Sequence, residues 1–162
     1  MSAELQVVVA GERWTRERRY LSGLANRGTK GEANGASQCA LARRFIQALD
    51  EQDVATIENL VAEDVVGHFP GDNKLSGNYK GRDQLFEMFA KGDEVTEGTF
   101  ERELHDITAS DDHIVVLVNL QAQRDGKVIS WNAANVWHVS DGRLTEVWFF
   151  TEDQSATDEA LA

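Results

Sequence analysis

A long β-hairpin near the C-terminal end of the chain most constrains how the chain can fold. Residues 126–150 read GKVISWNAANVWHVSDGRLTEVWFF, two runs rich in aromatic and β-branched residues joined by Ser140-Asp141-Gly142. An Asp-Gly pair between two alternating apolar runs is a strong hairpin signal, because both central turn residues need a positive φ. The sequence therefore predicts two long antiparallel strands that meet at this turn.

Three of the four tryptophans, Trp131, Trp137 and Trp148, lie in this hairpin. Successive side chains of a strand point to opposite faces, so Trp131, Asn135 and Trp137 share one face of the first strand. Aromatic residues at this density build a core or a pocket wall. Asn135 is thus predicted to lie between two indole rings. A buried amide without a hydrogen-bond partner costs about 1–3 kcal/mol, so Asn135 is expected to have one. The partner is either a ligand oxygen, to which the amide donates, or a neighbouring backbone group or water molecule.

The composition is that of one domain without a disulfide. A chain of 162 residues is long enough for a full core, and its single cysteine, Cys39, excludes an internal bridge. No run reaches the ~18 apolar residues of a membrane span, and the apolar residues 5–10 lack the basic segment of a signal peptide. The net charge of −12 repels phosphate backbones. We therefore expect a cytoplasmic protein that binds neither membranes nor nucleic acids.

The chain divides into three parts. Residues 1–36 combine a basic patch at 14–24 with a glycine-bearing stretch that has no apolar periodicity, and we expect a flexible N-terminal extension. A docking arm for polyanions is the alternative interpretation of the basic patch. Residues 37–155 are predicted to form the folded domain, and residues 156–162 a C-terminal tail.

Apolar spacing predicts three helices before the main sheet. The first helix is predicted to start at Ser37, the second is capped by Asp53, and the third follows Gly81. Residues 65–69 predict a short strand that ends at a Pro-Gly pair, and residues 72–80 predict a polar loop at the rim.

From Thr99 onward the apolar pattern changes to a period of two. Turn signals divide this part into four consecutive runs, which predict an antiparallel meander. Strands as long as these should coil, so we expect the sheet to wrap around the helices.

This order of elements resembles the cone-shaped α+β barrel of the nuclear transport factor 2-like superfamily, which is also called cystatin-like. Three local stretches resemble its SnoaL-like branch: FIQALDEQDVATIENLVAEDV, HFPG followed by GNYKGRDQLFEMF, and VSDGRLTEVWFF. The resemblance covers residues 37–153 and implies three N-terminal helices packed in a strongly bent antiparallel sheet. The superfamily contains isomerases, polyketide cyclases, epoxide hydrolases, dehydratases and non-catalytic binding proteins, so the fold alone does not define the function.

The resemblance to ketosteroid isomerases fails at two of three catalytic positions. The position of their carboxylate base matches Phe69, and that of their oxyanion tyrosine matches Phe45. The position of their protonated aspartic acid matches Asn135, which retains a hydrogen-bond donor. We therefore do not expect isomerase chemistry by the usual residues.

The resemblance to limonene-epoxide-hydrolase-like proteins fails as well. The three positions of their Asp-Arg-Asp set match Val118, Leu120 and Phe149, which are all apolar, and their asparagine position matches His68.

SnoaL-like cyclases use a histidine and an aspartate that face the pocket, and His68 matches the histidine. Histidine titrates near neutral pH and suits proton transfer, so His68 is the predicted acid/base residue and Asn135 its partner across the pocket. No aspartate is predicted to face inward. A packing histidine at the rim is the alternative, because His68 and Phe69 point to opposite faces of a regular strand.

These considerations predict a small-molecule pocket without a cofactor or a metal. The predicted ligand-binding residues share an apolar or aromatic side chain on an inward face or at the rim: Phe45, Phe69, Tyr79, Phe89, Val118, Trp131, Trp137 and Phe149. The other histidines lack the spacing of metal ligands. We expect either a cofactor-free acid/base enzyme that acts on an apolar carbonyl- or polyketide-like substrate, or a protein that only binds such a molecule.

The outward face of the hairpin is too apolar for an open surface. It is predicted to present Asn132, Ala134, Val136 and His138 together with Trp148 and Phe150. Exposed patches of this kind mark association, so the sequence predicts a homodimer through the convex face of the sheet.

Overall fold

The computed structural model describes the backbone of residues 30–162 and the side chains from residue 34 onward. The predicted basic patch and most of the predicted extension lie outside this part of the chain. Among the described residues, no helix combines the length and the apolar character needed to cross a membrane.

The described residues form four helices and one six-stranded sheet. The helices are α1 (Lys30–Asp50), α2 (Val54–Leu60), α3 (Arg82–Val95) and α4 (Gln154–Ala160). The strands are β1 (Val61–Phe69), β2 (Gly77–Lys80), β3 (Glu101–Ala109), β4 (His113–Arg124), β5 (Lys127–Ser140) and β6 (Arg143–Thr151). The strand order is β2-β1-β6-β5-β4-β3, in which β1 and β6 are parallel and the other neighbours are antiparallel.

The predicted hairpin is confirmed as β5 and β6. Ser140 pairs with Arg143 across a two-residue turn, and Asp141 and Gly142 both have positive φ, 51° and 72°. The register then shifts between Val139 and His138, after which Trp137 lies opposite Val147. Alternation along β5 places Asn135 on the same inward face as Trp137, as the sequence predicts.

The helices cover the inner face of the sheet. Helix α1 packs against β3 and β4, α2 against β1 and β6, and α3 against β1 and β2. The side chains at the centre of this core are fully buried, among them Leu85, Ile114 and Leu144. Burying a side chain of this size stabilises the fold by about 1.5–3 kcal/mol. The described residues thus form the predicted α+β fold, but the sheet is mixed rather than wholly antiparallel as predicted, because β1 and β6 pair in parallel.

Helix α1 begins at Lys30, seven residues before the predicted start at Ser37. Contacts with the sheet explain the longer helix. Asn34 donates a hydrogen bond to the Asp111 carboxylate, and a Cβ at Gly35 would lie 3.3 Å from the Ala109 oxygen. These tertiary contacts hold a stretch whose glycine content disfavours a helix.

Two further short elements differ from the prediction. Strand β2 lies within the predicted rim loop, where its four residues pair with β1. Helix α4 replaces much of the predicted tail: Asp153 caps it by accepting a hydrogen bond from the Ala156 N–H, and Thr157 and Leu161 are buried. The packed domain therefore continues past residue 155.

Candidate ligand-binding cavity

A cavity of about 110 Å³ lies between the inner face of the sheet and helices α3 and α4. Its walls are mainly apolar and include Phe69, Leu75, Met88, Phe89, Phe100, Leu120, Trp131, Ala133, Phe149 and Leu161. Polar side chains come from Asp93, Arg102, Asn135, Thr151 and Thr157. An apolar cavity of roughly 150 Å³ in another protein holds benzene, so this one fits about a single ring.

A second, smaller cavity of about 30 Å³ lies between helices α1 and α3 and the inner face of the sheet. Phe45, Val118 and Trp137 are among the residues that line it. The two cavities share four lining residues: Phe89, Arg102, Asn135 and Phe149. Two aromatic rings and two N–H-bearing side chains therefore form the boundary between the cavities.

The β5 strand places two N–H donors on this inner surface. Asn135 pairs with Val116 on one side and with Phe149 on the other, which directs its amide inward. Trp137 follows on the same face, is 3% exposed, and packs edge-on against Phe45 with ring centroids 5.2 Å apart. Its Nε1–H is buried and has no hydrogen-bond partner within the described part of the chain.

Arg102 supplies a third donor, and the sequence analysis missed it. It lies near the start of β3 opposite Leu120, and its Nη2 donates to the Asp50 carboxylate at the end of α1. Its Nε–H is buried and finds no partner among residues 34–162. The signal was present, because Phe100, Arg102 and Leu104 alternate in the pattern of an inward strand face, on which an arginine is unusual.

The predicted partnership of His68 with Asn135 across one pocket is corrected by the structure. The His68 ring stacks on Trp148, with centroids 5.2 Å apart, and its nitrogens lie 2.7 Å from Asn78 Oδ1 and 2.8 Å from Glu146 Oε1. These residues lie on the outer face of the sheet, and His68 lines neither cavity.

The neighbouring Phe69 faces the cavity instead, 5.3 Å from the Phe149 ring. The pairing of β1 is continuous from Val66 to Phe69, so regular alternation turns His68 away.

The other predicted ligand-binding residues divide between the two cavities. The larger one is lined by Phe69, Phe89, Trp131 and Phe149, and the smaller one by Phe45, Phe89, Val118, Trp137 and Phe149.

Tyr79 lines neither cavity, so this part of the prediction is corrected. Its hydroxyl donates a 2.7 Å hydrogen bond to the Leu75 oxygen, and burial raises the pKa of this phenol. Tyr79 thus supports the wall through Leu75, which does line the larger cavity.

The outer face of the sheet carries a histidine cluster around one carboxylate. Glu146 accepts from His68 through one oxygen, and its other oxygen lies 3.3 Å from His138 Nδ1. The His113 ring follows at 4.3 Å from that of His138. Within residues 34–162, no group of three or more histidine, cysteine, aspartate or glutamate side chains has an arrangement that would hold a metal ion.

Comparison with known proteins finds one matching family and related sequences. The sequence model of the SnoaL-like domain matches residues 42–147. An uncharacterised protein from Mycobacterium tuberculosis is 29% identical over 123 residues, which cover 75% of this chain and 94% of the relative.

Two solved structures are similar as well. Bal32a, from a soil-derived mobile gene cassette, has a TM-score of 0.75 and 25% identity, and the match covers 80% of this chain and 99% of Bal32a. A protein of unknown function with a cystatin-like fold from Xanthomonas campestris has a TM-score of 0.70 and 28% identity, over 76% of this chain and 96% of its own. The predicted nuclear transport factor 2-like, cystatin-like fold is thereby confirmed.

Proposed function

The chain belongs to the SnoaL-like domain family, and from this premise we propose that its cavity binds a small, largely apolar molecule that carries a hydrogen-bond acceptor. One observation carries the proposal: an aromatic-walled cavity adjoins buried N–H groups of Arg102 and Trp137 that have no partner within the described residues. A buried donor without a partner costs about 1–3 kcal/mol. A ligand oxygen that accepts from such a group removes this cost.

The walls suit a flat apolar ring. Phe69 and Phe149 are tilted by 35° to each other, and Phe89 meets Phe149 edge-on with centroids 6.3 Å apart. Burying a phenyl-sized group in such surroundings contributes about 1.5–3 kcal/mol. Together with one or two hydrogen bonds of about 1 kcal/mol each, this gives a dissociation constant on the order of 1 mM for a single-ring compound.

Binding has better support than acid/base catalysis. Asp93 and Arg102 are the acidic and basic side chains among the described lining residues, and Asp93 is exposed at the rim. A general base has to lie within hydrogen-bond reach of the proton that it removes. His68 is turned to the outer face of the sheet, so it does not fill this role.

Saturation-transfer NMR with ethylbenzene and acetophenone tests the proposal. Both compounds should bind the wild-type protein, and Ala133→Phe should abolish binding because the added ring fills the larger cavity. Ser130→Phe is the matched control, since it adds the same ring at an exposed position of the same strand. The proposal fails if neither compound binds, or if Ala133→Phe binds both as the wild type does while its thermal unfolding stays cooperative.

We also propose that two copies associate through the outer face of the sheet. The outer patch consists of six residues whose cross-strand pairing places them together: Val115, Leu117, Ala134, Val136, Trp148 and Phe150. Phe150 is 53% exposed. A contiguous apolar surface of this kind favours association of identical copies.

Sedimentation at micromolar concentration tests this second proposal. The wild-type protein should have about twice the chain mass, and Trp148→Glu should have the chain mass, because association would bury the new charge. A monomeric wild-type protein would refute the proposal. Val128→Glu is the control: Val128 is an exposed residue of the same sheet outside the outer patch, and the variant should remain dimeric.

A further inference from the structure

We propose that the Asp50–Arg102 ion pair makes the cavity selective for neutral oxygen acceptors, such as a ring ketone, over ionised carboxylates. This inference rests on the proposed binding function and names the charge class of its ligand. The observation behind it is that the arginine at the boundary between the cavities already has a carboxylate partner.

The two members of the pair differ in their surroundings. The Arg102 side chain is 19% exposed and lines both cavities, whereas the Asp50 side chain is 54% exposed and lies outside them. Asp50 binds Nη2, whereas the buried Nε–H has no partner among the described residues. Arginine is always protonated, and Asp50 therefore balances the only positive charge in the described lining of the cavities.

An ionised ligand would meet three unfavourable features. A carboxylate that accepts from Nε–H would lie within a few ångströms of Asp50, because Nε and Nη2 belong to one guanidinium. Like charges at this separation repel each other, and solvent around the half-exposed Asp50 limits this repulsion to about 1 kcal/mol or less. Asp50 is also the last residue of α1, where the helix dipole is negative, and Asp93 adds another negative charge at the rim.

A neutral carbonyl oxygen avoids these costs. It accepts the same hydrogen bond from Arg102, and the amide of Asn135 is available at the same boundary. The bond to a charged donor is worth more than one between neutral groups. The geometry therefore favours an acceptor oxygen without a formal charge.

Three single-ring compounds of similar shape test the inference: acetophenone, benzoate and ethylbenzene. Their dissociation constants are measured at about pH 7 by amide chemical-shift titration. For the wild-type protein, acetophenone should bind at least about threefold more tightly than ethylbenzene and at least about tenfold more tightly than benzoate. Benzoate that binds as tightly as acetophenone would overturn the inference without any variant.

The Asp50→Asn variant then tests the cause. Removing the carboxylate should tighten benzoate binding by about fivefold and leave acetophenone within about twofold. Glu51→Gln is the matched control, because it removes the same charge from the next residue, which contacts Gln47 rather than Arg102. In Glu51→Gln, the ratio of the benzoate and acetophenone dissociation constants should be the same as in the wild type.

The outcomes separate this inference from the proposed function. If ethylbenzene and acetophenone bind but Asp50→Asn leaves the benzoate ratio unchanged, the ion pair does not set the selectivity and only this inference fails. If none of the three compounds binds, the proposed function fails and this inference fails with it. If Asp50→Asn does not fold, the same titrations of Asp50→Ser test the cause. The wild-type ratio of the benzoate and acetophenone dissociation constants tests the selectivity itself.

Discussion

Replacing Arg102 with methionine should separate the stability of the fold from the function of the cavity. Methionine keeps most of the length and the apolar volume of the arginine, but it removes the guanidinium. Because Arg102 is largely buried with its Nε–H unpaired among the described residues, the substitution removes a donor whose burial costs about 1–3 kcal/mol.

The Asp50–Arg102 ion pair, which this substitution removes, contributes less to stability than a fully buried ion pair does. Asp50 is more than half exposed, so solvent screens the pair and its loss costs about 1 kcal/mol or less. Asp50 is then left in water rather than buried without a partner, which avoids the large penalty of a broken buried pair. The two effects together predict that the unliganded Arg102→Met variant is as stable as the wild type or more stable by up to about 3 kcal/mol.

Urea unfolding followed by tryptophan fluorescence measures this difference. Arg124→Met is the control, because the Arg124 guanidinium donates a 3.0 Å hydrogen bond to the Val95 oxygen and should lose about 0.5–1.5 kcal/mol on substitution. Acetophenone should stabilise the wild type more than ethylbenzene does, and Arg102→Met should remove this difference. A loss of more than about 2 kcal/mol in unliganded Arg102→Met would refute the reasoning, since it would mean that the arginine is well satisfied in the fold.

Two further substitutions test how the cavity walls are held. Burial raises the pKa of the Asp158 carboxyl, but hydrogen bonds from Asn73, Gln154 and a backbone N–H outweigh it and hold this pKa below its usual range. The ionised Asp158 therefore stabilises the fold above the ordinary pKa of about 4, and this stabilisation is lost as the pH falls through the folded-state pKa. We expect Asp158→Asn to be less stable than the wild type at neutral pH and equally stable in acid. Thermal unfolding at both pH values measures the difference. Gly67→Ala would place a Cβ 2.8 Å from a side-chain carbon of the fully buried Leu85. Urea unfolding should therefore show that the free energy of unfolding falls by about 1–3 kcal/mol. A decrease below about 0.5 kcal/mol would contradict the packing.

The parts of the fold that could be predicted are those specified by local signals. The β5–β6 hairpin follows from Asp141-Gly142 and the alternating runs beside it, and α2 follows from its Asp53 cap. Helix α4 and strand β2 could not be predicted in this way, because each is short and mainly polar and is held by partners distant in sequence. The Lys74 N–H, for example, donates to the Leu161 oxygen and ties the loop before β2 to the end of α4.

The site was predictable in part for the same reason. Alternation placed Asn135, Trp131 and Trp137 on the inner face correctly, whereas family resemblance suggested His68 against the alternation of its own strand. To predict that Arg102 lines the cavities, one has to know which face of its strand the helices cover. This depends on the packing of the whole sheet. The homodimer, the cytoplasmic location and the ligand itself stay predictions.

The unpaired donors of the side chains that line the cavities connect the stability of the fold to its binding. A core built for stability alone pairs its buried N–H groups, yet the N–H groups of Arg102 and Trp137 lack partners among the described residues. Each such group destabilises the unliganded fold by about 1–3 kcal/mol, and an acceptor that reaches it recovers that free energy as binding. Because 1.4 kcal/mol corresponds to a factor of ten, one satisfied donor strengthens binding by roughly 5- to 150-fold over the purely apolar contribution. Stability and ligand affinity should therefore change in opposite directions when these donors are removed, and the comparison of Arg102→Met with the wild type measures both.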